Sequence, residues 1–341
     1  MTYPDAIPDF SGLGPHGVRP GELPSRECRI FAHLLAQEFE PFLIQALYAA
    51  AVKLCFDHAK LFAYHGKIDT RLAGVLSMLP DITFTWRGQD RSTIPMDYFD
   101  PSSGAALSAA SAQWRDLGCE KPDVMLLPSM MDWRHLGAFG RAPRFVLPRD
   151  RVPAINQALR DLGLAMTWWY CALAVPDHDT EADLEAWRSA MRSGAEIIAD
   201  RHGASLVLVG APETDIGRLP AGVLDARNLP DGVLGQSYVV SRARFLLDLV
   251  STPWLWVAYG FGVPWAMRVS ADVPVKFPGQ GFVFPADPAD SEKLAAAILA
   301  IIHETRDCPQ WRATVSDRHG PAPNQIFLPM SPGPDARILR A

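Results

Sequence analysis

Phe245 to Val269 reads FLLDLVSTPWLWVAYGFGVPWAMRV, and the pattern of this stretch sets the fold. Phe245 to Val250 is an apolar run of strand length, Ser251-Thr252-Pro253 punctuates it, a helix starts from Pro253, and Trp265 to Val269 is a second apolar run. A hydroxyl followed by proline suits a helix start. The hydroxyl accepts from amides that have no partner within the helix, and proline sacrifices nothing at the first helical position. Thr252 is therefore the expected N-cap. Strand, helix, strand in this order implies parallel strands joined by a crossover helix.

The same alternation extends outward from this stretch. Upstream lie an apolar strand at Trp168 to Val175 (WWYCALAV) and a helix from Glu181 to about His202, whose acidic first turns suit the helix dipole. Ser205 to Gly210 (SLVLVG) follows as a buried strand ending in glycine, then a short VLDA segment at Val223 to Ala226 and a helical stretch near Ser237 to Ala243. Ala289 to Thr305 is the last helix. In the first half, Arg29 to Leu35 reads as a strand, and Leu43, Leu47, Ala50 and Leu54 recur at helical spacing between Pro41 and Asp57. Lys60 to Tyr64, Ile82 to Trp86 and Asp123 to Leu127 are further strands. Pro143, Pro148 and Pro153, followed by the polar helix INQALRDLGL, place a domain boundary near residue 160. The expected organisation is an irregular lead-in over 1–27, an N-terminal Rossmann-like domain over 28–160, a C-terminal one over 161–310, and a tail over 311–341. This is an α/β architecture of two parallel sheets facing one another across a cleft.

Composition agrees with two folded domains. The chain has 341 residues, 48% hydrophobic and 21% charged, which excludes disorder. A net charge of −6 lacks the basic excess that neutralises phosphates along a nucleic acid, so no nucleic-acid partner is expected. Five cysteines with no CxxC pair favour neither a disulfide framework nor a zinc site. No apolar stretch is long enough for a transmembrane segment, and MTYPDAIPDFSG has neither a basic nor an apolar signal region, so a cytoplasmic location is expected. There is no GxSxG, HExxH or Walker A signature, and no GxGxxG after a first strand. Asp177-x-Asp179 reads more simply as a helix cap than as a metal pair.

Ser251 to Pro264 resembles the (N/D)-(S/T)-G-x-x-H-x-A-x-A-x-G-x-P stretch of GT-B glycosyltransferases of the heptosyltransferase type. Ser251 and Thr252 stand on the polar pair, Ala258 on the alanine, and Gly262 and Pro264 on the closing G-x-P. Pro253 replaces the family's glycine, and Trp256 its histidine. Arg29 to Pro41 (RIFAHLLAQEFEP) is similar to the opening strand and turn of the same superfamily. It also resembles the GHLA opening of a bacterial subfamily of surface-polysaccharide glycosyltransferases. His33 and Leu34 stand on its HL and Glu40 serves as the acidic residue that follows, while Ala32 replaces the glycine. Ser241 to Phe245 resembles that subfamily's C-A-R-F strand entry. The arginine which the subfamily carries where the second domain opens is missing from Tyr170 to His178; Arg242 and Arg244 are the candidates to replace it.

The resemblance implies an inverting, metal-independent glycosyltransferase of hexosyl or heptosyl type. It would use a nucleoside-diphosphate sugar as substrate, without a further cofactor, and a hydroxyl-bearing acceptor on a glycan, glycolipid or natural product. A lipid-linked acceptor would bring the chain to the membrane surface as a peripheral contact. Glu40 is the implied base, with Glu38 and His33 as further catalytic candidates. For Glu40 the competing role is a first-turn partner of the helix dipole; for His33 it is a core histidine. Gly210, Glu213, Arg242, Ser251, Thr252, Trp254 and Trp256 are the donor-binding candidates. The helix start supplies amides for phosphate, and the tryptophans supply faces for sugar or base. Two other readings stay open: a catalytically degenerate nucleotide- or partner-binding protein, and a nucleotide-sugar epimerase.

Overall fold

The computed structural model describes residues 28–53, 59–65, 68–79, 82–87, 124–126, 128, 131–133, 136, 144–164, 169–177, 181–250, 252–269, 281–285, 291–305 and 337–338. The chain divides into two compact units, Met1–Val146 and Leu147–Ala341. Ser251 and Asp179 lie outside the described residues.

In the first unit the described elements are β1 (Cys28–Leu34), α1 (Phe39–Lys53), β2 (Ala59–His65), α2 (Thr70–Ser77), β3 (Ile82–Arg87) and β4 (Val124–Leu126). The strands pair in parallel in the order β3-β2-β1-β4. Helix α1 buries Phe42, Leu43, Ala46, Leu47 and the run Ala49 to Val52, so it is apolar on nearly every side and packs between the sheet and α2. Helix α2 starts on Asp69, whose carboxylate accepts the Leu72 amide at 2.8 Å. Removing such a cap costs about 1 kcal/mol.

The second unit contains α3 (Val152–Asp161), β5 (Tyr170–Val175), α4 (Glu181–Ala195) running on into a π-helical segment (Glu196–Arg201), β6 (Ser205–Gly210), β7 (Val223–Asp225) and α5 (Val233–Arg242). It continues with β8 (Leu246–Asp248), α6 (Trp254–Phe261), β9 (Trp265–Val269), β10 (Gly281–Pro285), α7 (Ser291–Glu304) and β11 (Arg337–Ile338). All described pairs are parallel, in the order β11-β10-β9-β8-β5-β6-β7. Read from β7, this is the doubly wound order. The chain starts in the middle at β5, winds outward through β6 and β7, then crosses back to β8. The first unit makes the same reversal between β1 and β4.

The core of the second unit is β5, buried along its whole length, with Trp187, Met191 and Ile198 of one helix and Ile298 and Ile301 of another clustered with its Cys171, Leu173 and Val175. Two buried hydrogen bonds fix helices to this strand: Trp187 Nε1 donates to the Ala174 carbonyl at 3.0 Å, and the Tyr170 hydroxyl to the Val239 carbonyl at 2.8 Å. Arg244 is part of this scaffold. Its buried guanidinium lies 4.7 Å from the Trp169 ring centre and donates to Thr305 Oγ1 at 3.1 Å and to the Ile302 carbonyl. A cation there neutralises the negative end of α7.

The alternation of elements follows the sequence pattern, with four differences. The helix expected to close the first domain, now α3, packs on α5, and Arg151 reaches Asp231 at 3.3 Å, so the units divide at Val146/Leu147 rather than near 160. Helix α5 starts at Val233, earlier than Ser237. Helix α6 starts at Trp254, with Pro253 rather than Thr252 as the residue flanking its first turn. Strands β10 and β11 were not expected. β10 is Gly-Phe-Val-Phe-Pro, an apolar run too short to stand out between a glycine and a proline.

Candidate functional site

In doubly wound sheets, ligands bind beyond the carboxyl ends of the strands, where the strand order reverses. In the second unit this edge is formed by the ends of β5, β6 and β8. Gly210 ends β6 with φ +129, a conformation that favours glycine, and a Cβ there would run into the Val175 carbonyl of β5. Its amide donates to Gln236 Oε1 at 2.6 Å, and Gln236 Nε2 donates to the Arg227 carbonyl at 2.8 Å. The glycine is thus required by close packing, and its N–H is already committed to α5.

The loop that follows is held by Arg227, a buried residue that the sequence reading missed. Its Nη1 donates to the carbonyls of Ala211 and Thr214, both at 2.7 Å, and its Nε and Nη2 clasp Asp225 at 2.9 Å each. Burial pushes the Asp225 carboxyl up, but the hydrogen bonds and charge of Arg227 outweigh this and hold it below its usual value. Thr214 Oγ1 donates to the Pro176 carbonyl at 2.9 Å, which ties the loop to the end of β5. Within the loop Pro212 and Glu213 are exposed, while Ala211 and Thr214 are buried. Glu213 therefore stands at the end of the second strand of the doubly wound order, on a fixed loop.

The end of β8 is built differently. Asp248 is fully buried, and its carboxylate accepts the Val250 amide at 3.0 Å, the Thr252 amide at 2.6 Å and the Thr252 hydroxyl at 2.8 Å. The Thr252 hydroxyl in turn accepts the Trp254 amide at 3.3 Å, so Thr252 helps to start α6 from one position further back than an N-cap. The Val250 and Thr252 amides and the Thr252 hydroxyl are thus directed onto a carboxylate of the chain itself. Trp254 and Trp256 are 2% and 3% exposed, and Trp256 meets Tyr259 edge-on at 6.4 Å. They belong to the core and present no face to a ligand. Gly262 and Pro264 end the helix: Gly262 adopts the left-handed C-cap conformation, and the Pro264 carbonyl accepts the Leu246 amide at 2.9 Å.

Arg242 lies apart from these residues. It sits in the last turn of α5, which returns to the opposite edge of the sheet, and its guanidinium is 5.7 Å from the Tyr238 ring centre. Neither it nor Arg244 is a donor-site cation in this geometry.

In the first unit, Glu38 and Glu40 are exposed at the carboxyl end of β1, and the Glu38 carbonyl accepts the Phe42 amide at 3.1 Å as α1 begins. The turn is fixed much as the one beyond β6 is: a buried glutamine, Gln45, accepts the Ala36 amide at 3.2 Å. Arg71 of α2, also missed in the sequence, stacks 3.9 Å from the centre of the Phe39 ring between the two acids in sequence. His33 is fully buried in β1, and burial lowers its pKa to about 3. A neutral imidazole that weakly basic is unsuited to take a proton from a hydroxyl. Among the described residues, no group of three or more His, Cys, Asp or Glu could hold a metal ion, and no helix is long and apolar enough to cross a membrane.

The arrangement of parallel sheets and reversals is that of the GT-B fold, with a Rossmann-like unit in each half. Solved structures share it. The glycosyl transferase family 9 protein of Veillonella parvula DSM 2008 superposes with a TM-score of 0.52 at 12% identity, covering 83% of this chain and 99% of its own. The E. coli ADP-heptose lps heptosyltransferase II gives 0.51 at 9% identity, over 82% of this chain and 100% of its own. At these identities the likeness concerns the fold. No protein-family model matches the chain, and no curated protein matches it in sequence.

Proposed function

We propose that the chain is a glycosyltransferase that takes a nucleoside-diphosphate sugar at the carboxyl edge of its second unit and passes the sugar to a hydroxyl acceptor handled by the first. The observation that carries this reading is the exposed Glu213 on its fixed loop. An acidic residue at the end of the second strand of a doubly wound sheet is placed to hydrogen-bond ribose hydroxyls. The likeness in fold to glycosyltransferases over nearly their whole length supports it.

Transfer would run as an in-line displacement. The acceptor oxygen attacks the anomeric carbon and its proton passes to Glu40. The bond from that carbon to the diphosphate oxygen breaks, and the leaving group departs with the electron pair. Inversion follows from a single displacement. Glu40 suits the task because it is exposed in the first turn of α1, at the carboxyl end of β1. Glu38 is the neighbouring alternative.

Asp248 favours a second reading, nucleotide or partner binding without transfer. A carboxylate that already takes the Val250 and Thr252 amides leaves the β8–α6 turn poorly suited to a leaving diphosphate. The epimerase reading needs an acid or a histidine pair at the site, and the buried, weakly basic His33 cannot serve as one of its histidines. Thermal-shift screening with UDP-, GDP- and ADP-sugars, followed by turnover assays of wild type and Glu40→Gln, separates the readings. Transfer abolished by Glu40→Gln supports the first, binding without turnover supports the second, and no response to any nucleotide sugar contradicts both nucleotide readings.

A further inference from the structure

The loop between β6 and β7 is held more firmly than its length requires. Between Gly210 and Asp215 the chain is anchored at the Gly210 amide by Gln236, at the Ala211 and Thr214 carbonyls by Arg227, at the Thr214 hydroxyl by the Pro176 carbonyl, and at the Asp215 carbonyl by Arg188 at 2.6 Å. Three of these anchors run through one buried residue or its carbonyl. Arg227 is 6% exposed, and Gln236, which reaches Gly210, is itself tied to the Arg227 carbonyl. Burying an arginine against a partly exposed carboxylate is a poor way to gain stability, because desolvation of the guanidinium offsets the attraction. A fully hydrogen-bonded network of this kind does fix conformation. What this one fixes is a two-residue exposed tip, Pro212-Glu213.

We infer that Arg227 is a positioning residue for the ligand site: with Asp225 and Gln236 it locks the 211–215 loop before any ligand arrives, so that the Glu213 carboxylate meets the sugar hydroxyls of a nucleotide without an ordering cost. The inference rests on the nucleotide reading of the site and adds the device that prepares it. Lysine cannot replace Arg227, since a point charge with three donors on a flexible stem cannot clasp Asp225 through two nitrogens and hold two carbonyls at once.

The test compares wild type with the paired variant Arg227→Met/Asp225→Leu, which removes both charges together, and with Thr214→Val, which cuts the Pro176 tether alone. Amide hydrogen exchange without ligand reads the loop, and calorimetric titration with ADP, UDP and GDP reads binding. In the paired variant, exchange over 210–215 rises while β5 and β6 stay protected, and nucleotide affinity falls about tenfold, the loss expected when a loop must be ordered on binding. Thr214→Val gives a smaller change of the same sign, and Arg227→Lys does not restore affinity. In turnover, KM rises while kcat stays near the wild-type value. Wild-type exchange in the loop of the paired variant overturns the inference, as does unchanged affinity in a loosened loop. If wild type binds none of the three nucleotides while its loop is protected, the nucleotide reading fails and the locking role of Arg227 stands by the exchange result. Should the paired variant not fold, Thr214→Val decides: a loop and affinity unmoved by it overturn the inference.

Discussion

The ends of β6 and β8 flank the same strand and use a carboxylate in opposite ways. Beyond β6, the chain buries an arginine to keep a loop rigid and leaves Glu213 exposed at its tip. Beyond β8, the carboxylate of Asp248 is itself buried and consumes the amides and hydroxyl of the turn. The first arrangement is costly to fold and leaves a carboxylate exposed on a fixed loop; the second makes a strong turn and takes the Val250 and Thr252 donors out of use. A helix start at the carboxyl edge of a parallel sheet is thus not enough to define a phosphate site. What matters is where its amides already point.

The contrast can be broken by removing the internal partner on each side. Arg227→Met alone leaves two loop carbonyls without their donor and Asp225 with only the backbone amide of residue 227, and should lower the unfolding free energy by about 3 kcal/mol in urea denaturation. A loss below about 1 kcal/mol would show that water replaces the guanidinium easily. Asp248→Ala strips the acceptor from two amides and a hydroxyl, with an expected loss of about 2 kcal/mol. Asp248→Asn keeps one acceptor oxygen and should lose less; equal losses would mean that the charge rather than the hydrogen bonds holds the turn.

Acid sharpens the comparison between the units. His33 has a folded pKa of about 3 against an ordinary 6.5, so as pH falls below 6.5 the unfolded chain takes up a proton that the folded one refuses. Stability should decline by about 1.4 kcal/mol per pH unit from there toward pH 3. Asp225, held below its usual 3.8, contributes stability that is present above that value and lost as pH falls through its folded pKa. His33→Phe should remove the upper limb of the acid titration and leave the lower one, as read by denaturation midpoints. The smallest expected effect on stability is that of Glu213→Ala, within about 0.5 kcal/mol, because an exposed side chain at a loop tip holds nothing in place.

Much of the fold was legible because apolar runs and breakers carry it. SLVLVG and WAMRV are β6 and β9 with the limits read from the sequence, and Gly262 ends α6 as the G-x-P pattern implies. The site was less legible, because its chemistry depends on hydrogen bonds between distant residues. Gln236 meets Gly210, and Arg227 meets Ala211, with nothing local to announce either pair. Asp248 stood in a strand as a lone acid among Leu247, Leu249 and Val250, a signal that a buried carboxylate must find donors nearby. Trp254 and Trp256 were misleading as platforms for a sugar. Their helix, WLWVAYGF, is apolar on every side, and such a helix is buried.

The central claim is that the second unit receives a nucleotide sugar at the Glu213 loop, and calorimetric titration of wild type and Glu213→Ala with UDP-, GDP- and ADP-sugars tests it most directly. The account predicts saturable binding of at least one of them by wild type, weakened about tenfold in Glu213→Ala, the value of one lost charge-assisted hydrogen bond, with the melting temperature unchanged. Binding of equal strength in both proteins, or by neither, would contradict it.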